Sequence, residues 1–85
     1  MKIVYTKHAV KKFNDLEELG IKVGKRLVRK ILKQPVHLDD ITDYPNLIAS
    51  GKLRKNYVLR VVHRKEDDII IIITFYPAKE GRYFK

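Results

Sequence analysis

Two hydrophobic periods divide the chain. Ala9, Phe13, Leu16 and Gly20, with Leu19 beside them, recur at helical spacing. Thr6 is placed to cap a helix that starts near Lys7, because its hydroxyl can accept from an unpaired N–H of the first turn. Gly20 is a suitable stop, since glycine enters the left-handed conformation without a Cβ clash. A second helix is predicted over about 22–34, with Pro35 ending it. Two helices joined at one glycine fold back as a hairpin or bend sharply. The run KIVY over 2–5 is a short β-prone segment ahead of both.

After Pro35 the helical period disappears. A strand is predicted over 36–41, followed by turn signals at Asp43-Tyr44-Pro45-Asn46 and at Ser50-Gly51. YVLRVVHR, over 57–64, is rich in β-branched and aromatic residues and reads as a strand. Glu66-Asp67-Asp68 supplies a polar hairpin turn. IIIIITFY, over 69–76, is continuously apolar, which predicts a strand covered on both faces in the middle of the sheet. Pro77 is read as its end, and Tyr83-Phe84 as a pair that docks or adds a last short strand. The order β-α-α-β-β-β predicts an α+β fold, with an N-terminal helical hairpin on a mostly antiparallel sheet of about four strands. At 85 residues a single domain spanning 1–85 is expected.

Charge sharpens this picture. Nineteen Lys and Arg against ten Asp and Glu leave a net +9. A field of that sign attracts phosphate backbones, anionic lipid and acidic proteins. The segment KVGKRLVRKILKQP holds Lys22, Lys25, Arg26, Arg29, Lys30 and Lys33 with no acid among them. At 100° per residue the six fall within an arc of about 140°, opposite Val23, Leu27, Val28, Ile31 and Leu32. Lys22, Arg26, Arg29 and Lys33 form one stripe. Like charges at i,i+4 cost a few tenths of a kcal/mol each. The stripe therefore reads either as a contact for phosphates or an acidic partner, or as a solvated face relieved by Asp39-Asp40 or by Glu66–Asp68. A membrane-surface helix is disfavoured, because the apolar face has no aromatic anchor and is needed for the core. The absence of cysteine, of a signal-peptide run and of a span-length apolar run leads to the expectation of a cytoplasmic protein without membrane association.

Little else points to chemistry. His8, His37 and His63 lack metal-ligand spacing, and the carboxylates cluster in turns and helix ends, so neither a metal nor another cofactor is expected. Lys52, Arg54 and Lys55 precede the long strand. In that strand Val58, Arg60, Val62 and Arg64 share one face, and Tyr57, Leu59, Val61 and His63 the other. Arg60 stands among apolar neighbours, which makes it either a snorkelling side chain or a cation set in a groove.

In this order, His8-Ala9, Gly20-Ile21, Pro35, Leu59-Arg60-Val61-Val62, Ile73-Thr74-Phe75-Tyr76-Pro77 and Arg82-Tyr83 resemble the RelE/ParE toxin superfamily. The resemblance is closer to that superfamily's uncharacterised small-domain relatives, and it spans nearly the whole chain. It departs at Lys12 and Leu19, where members of the family often carry arginine. The toxins of the superfamily cut messenger RNA on the ribosome with basic residues and often a C-terminal tyrosine. The resemblance thus implies a metal-independent endoribonuclease, with RNA, the ribosome and an acidic antitoxin protein as partners. Arg60, Arg82 and Tyr83 stand at matching positions. Cutting RNA through its own 2′-OH needs a base, an acid and cations for the dianionic transition state. Arg60 and Arg82 are the candidate cations. Lys52 or Lys55, its pKa lowered by neighbouring positive charge, is the candidate base. Tyr83 would stack or donate a proton. Lys22, Arg26, Arg29, Lys33, Arg54 and Arg64 are the candidate contacts to nucleic acid or partner. A non-catalytic nucleic-acid-binding module and a protein-interaction domain on the same scaffold remain the alternatives.

Overall fold

The computed structural model describes residues 2–81. The elements run β1 (Lys2–Tyr5), α1 (Lys7–Glu18), α2 (Lys25–Lys33), β2 (His37–Asp39), β3 (Leu47–Arg54), β4 (Tyr57–Glu66) and β5 (Ile69–Lys79). They build the expected α+β architecture, two helices packed on one face of a mostly antiparallel sheet. The sheet has five strands in the order β1-β5-β4-β3-β2. Among the described strands only the β1–β5 pair is parallel, and the helices supply the crossover that a parallel pair needs.

The first helix starts and stops where its sequence dictates. Thr6 Oγ1 accepts from the Ala9 N–H at 3.1 Å and donates to the Ile73 carbonyl of β5, so the cap also ties the helix to the sheet. At the other end Gly20 has φ +80°, its N–H bonds the Glu17 carbonyl and the Ile21 N–H bonds that of Leu16. This paired arrangement satisfies the last carbonyls of the helix, and Ile21 packs on the cluster that contains Leu16. The second helix is shorter than expected. It begins at Lys25 after Gly24, so Lys22 and Val23 belong to the connection. Val23 is nonetheless buried.

The helices are joined in sequence but cover different strands. α1 lies over β5 and β1, and α2 over β3 and β4. Between helices and sheet lies the core of Leu16, Val28, Ile31, Leu59, Val61, Ile72 and Phe75. Phe13 packs at a tilt against Phe75, with ring centroids 4.7 Å apart, and against Tyr5 at 5.5 Å.

Two expectations about the strands fail for identifiable reasons. Ser50-Gly51 is not a turn; both residues lie inside β3. A Cβ on Gly51 would stand 2.6 Å from Ile31 Cγ1 of α2, so this glycine is where helix and strand approach closely. Nor does Pro77 end the last strand, which continues to Lys79 with Pro77 opposite Leu59. Its pairing with β1 stops at Ile72, so β5 has an edge where a residue without an N–H is tolerated. The strand expected over 36–41 shortens to His37–Asp39. The isoleucine strand is interior to the sheet, flanked by β1 and β4, while β4 takes the centre.

Candidate functional site

On the face of the sheet away from the helices, β2, β3, β4 and β5 bring four polar residues onto one rung. His37 is opposite Ser50, Ser50 opposite Arg60, and Arg60 opposite Tyr76. Directly opposed side chains on one face stand close enough to bond. Arg60, with a side chain only 3 % exposed, uses this row fully. Its Nε donates to the Tyr76 hydroxyl at 3.1 Å and its Nη1 to Ser50 Oγ at 3.3 Å. Its Nη2 lies 4.0 Å from Asp39 Oδ2. The guanidinium carbon stands 5.9 Å from the centre of the Tyr76 ring. Arg60 is therefore neither snorkelling nor presented to a groove. It is a buried cation whose three nitrogens all face polar partners, as burial of a charge demands.

Asp39 is itself held by the turn that follows it. Its Oδ1 accepts from the N–H groups of Ile41 and Thr42, both at 2.9 Å. The Thr42 hydroxyl and then these N–H groups lower its pKa from the ordinary 3.8 to about 2, with Arg60 contributing least. The carboxylate thus stays ionised across the physiological range.

The other cations on this face are also paired. By strand alternation Lys52 and Arg64 share it with Arg60. Lys52 Nζ lies 3.1 Å from Glu80 Oε2, and Arg64 Nε 3.1 Å from Glu66 Oε2. The neighbour of Lys52 is an acid, contrary to the expectation of positive charge around it. Lys55 sits in the two-residue β3–β4 turn and Arg54 beside it, both exposed. The structure thus brings Arg60 together with Ser50, Tyr76 and Asp39, but it does not bring Lys55 to that row. Arg82 and Tyr83 lie outside the described residues, as does the Tyr83-Phe84 pair.

The helix face is electrostatically different. Arg26, Arg29, Lys30 and Lys33 are exposed and line one shallow depression with Gln34. Lys25 leaves this stripe and sets its ammonium 5.2 Å over the Tyr5 ring. Among the described residues no acid pairs with any cation of α2. The two rival acidic groups are committed elsewhere, Asp39 to Arg60 and Glu66 to Arg64. The stripe and the Arg60 row stand on opposite sides of the sheet, so one short ligand cannot touch both without passing around an edge.

The grouping of Ser50, Tyr76 and Asp39 around Arg60 is not legible in the sequence. Ser50 was hidden by its Ser-Gly turn signature and Tyr76 by the apolar run it ends. A signal for Tyr76 was nevertheless present, because its hydroxyl needs a partner wherever it is buried. No helix of the described chain is long and apolar enough to cross a membrane. Comparison with protein-family models, with curated proteins and with solved structures finds no match to this chain.

Proposed function

We propose that this chain is a toxin-like, RNA-directed protein that engages the phosphate backbone with the exposed face of α2. The observation that carries this reading is the set Arg26, Arg29, Lys30 and Lys33, exposed on one helix face without an acidic partner among the described residues. Unrelieved like charges at helical spacing cost stability, and a polyanion laid along them converts that cost into binding. The catalytic form of the proposal is a metal-independent endoribonuclease acting on ribosome-bound message, as the resemblance to RelE/ParE toxins implies. Arg60, Arg82 and Tyr83 would then carry the chemistry and an acidic antitoxin would cover the basic surface.

A second reading is favoured by the pairing around Arg60. Lys52, Arg60 and Arg64 each face a carboxylate, and Arg60 is buried. That arrangement suits a structural polar row, and with it a non-catalytic nucleic-acid-binding domain.

A translation reaction on a defined message, run with and without ribosomes and followed by mapping of the RNA ends, separates the two. New ends that depend on the protein and on ribosomes support the endoribonuclease. Binding without new ends supports the non-catalytic domain. The absence of both binding and cleavage defeats the RNA-directed reading altogether. Arg60→Lys is the proper partner variant, because it keeps the charge and removes the planar fork that meets Tyr76 and Ser50.

A further inference from the structure

The helix layer is shorter than the sheet beneath it. Nine helical residues extend about 13 Å, whereas the ten residues of β4 extend about 33 Å. Pro35 stops the chain from continuing as helix. Beyond the end of α2 the sheet is left with an apolar groove of about 350 Å³, walled by Ile3, Leu32, Leu47 and Ile70 among others. This is within the size range of small-molecule sites. The groove does not rest on the RNA reading, although Arg29 and Lys33 border both surfaces.

Two features of the groove specify chemistry. Arg29, Lys33 and Lys65 stand in its lining, and no carboxylate does so among the described residues. His63 lines it as well and is only 3 % exposed. The ring Nδ1 lies 3.1 Å from the Val61 carbonyl oxygen, which can only accept, so Nδ1 carries the hydrogen. Nε2 then holds a lone pair, and among the described residues no group donates to it. Burial lowers the pKa of His63, which keeps the ring in this neutral, accepting form. The groove therefore offers apolar walls, one acceptor and a cationic rim.

We propose that this groove is a binding site for a small apolar carboxylate that carries one hydrogen-bond donor in its body. The body fills the space between Leu32, Leu47 and Ile70. The donor meets His63 Nε2, and the carboxylate meets Lys65, Arg29 and Lys33 at the rim. A neutral ligand would leave the rim cations unanswered, and a cationic one would be repelled by them.

The test uses the full chain and three probes observed through the His63 ring resonances. These are 3-(4-hydroxyphenyl)propionate, 3-phenylpropionate, which lacks the donor, and tyramine, which reverses the charge. The hydroxyphenyl acid is expected to shift the His63 resonances saturably. The phenyl acid should bind about fivefold more weakly, the effect of one hydrogen bond. Tyramine should not bind. Lys65→Glu, at an exposed residue outside the α2 stripe, should weaken the hydroxyphenyl acid about threefold or more, as loss of a partly exposed ion pair does. Tyramine binding as well as the acids, or an unchanged affinity in Lys65→Glu, overturns the proposal. So does the absence of any saturable shift up to about 10 mM, a concentration that reveals even weak sites. An acidic amphipathic peptide that saturates the same resonances when neither acid does also overturns it, by assigning the groove to a protein segment.

Discussion

At the scale of single residues, Asp39 is held charged and His63 neutral, and both lose stability in the same direction, toward acid. Asp39 titrates near 2 in the folded chain and at its ordinary 3.8 when unfolded. Its contribution is present above the unfolded value and is lost as pH falls from 3.8 toward 2. Because the carboxylate borders solvent, screening reduces this to about 1 kcal/mol. Asp39→Asn should be less stable than the parent by about that amount at pH 7, with the gap closing toward pH 2. Urea unfolding at a series of pH values measures it, and a gap independent of pH would reject the assignment. His63 is depressed below 6.5 by burial, so the unfolded chain binds the proton more readily. Stability should therefore decline as pH drops below the ordinary 6.5 and flatten once the folded ring itself is protonated. Replacing His63 by Gln should remove that slope from thermal melts between neutral and mildly acidic pH. Neither behaviour was legible in the sequence. Alternation placed His63 on one face with Tyr57, Leu59 and Val61, but its partner, the Val61 carbonyl, and its burial depend on the finished sheet.

At the scale of elements, the best-written parts of the sequence were those whose signals are local. Thr6 caps α1, Gly20 ends it in the left-handed conformation, and Pro35 follows α2 within two residues of its last turn. Each works through a hydrogen bond or a backbone angle within a few residues, so nothing distant can override it. The misread parts depend on distant partners. Ser50-Gly51 carries the composition of a turn, yet Gly51 lies where Ile31 of α2 comes close, and Ser50 accepts a hydrogen bond from Arg60 opposite it. The interface between α2 and β3 yields a direct prediction. Gly51→Ala sets a methyl group within 2.6 Å of Ile31 Cγ1, and Ile31 is itself buried. The cost should be about 1–3 kcal/mol, typical of overpacking in a filled core. Combining it with Ile31→Ala, which removes Cγ1 and Cδ1 from the contact, should cost less than the sum of the two single changes. Chemical denaturation of the three variants checks this, and strictly additive effects would show that the two side chains do not meet.

At the scale of the whole molecule, the sheet separates two kinds of positive charge. On one side Lys52, Arg60 and Arg64 each stand beside a carboxylate, and on the other the cations of α2 have none beside them among the described residues. Net charge alone does not distinguish these sides, but binding should. Arg26→Glu with Arg29→Glu and Lys52→Glu with Arg64→Glu change the total charge by the same amount, so long-range steering falls equally in both. If backbone phosphates lie along α2, the helix pair of substitutions removes contacts and releases fewer counterions. With four contacts to a single strand, affinity should fall roughly 50-fold between 50 and 200 mM salt in the parent. The helix variant should bind much more weakly and lose about half of that salt slope, while the sheet variant keeps the slope with a modest loss of affinity. Fluorescence anisotropy of a labelled single-stranded RNA across a salt series measures both quantities. Equal slopes in the two variants would mean that the protein attracts RNA through its total charge and that α2 has no special part in holding it.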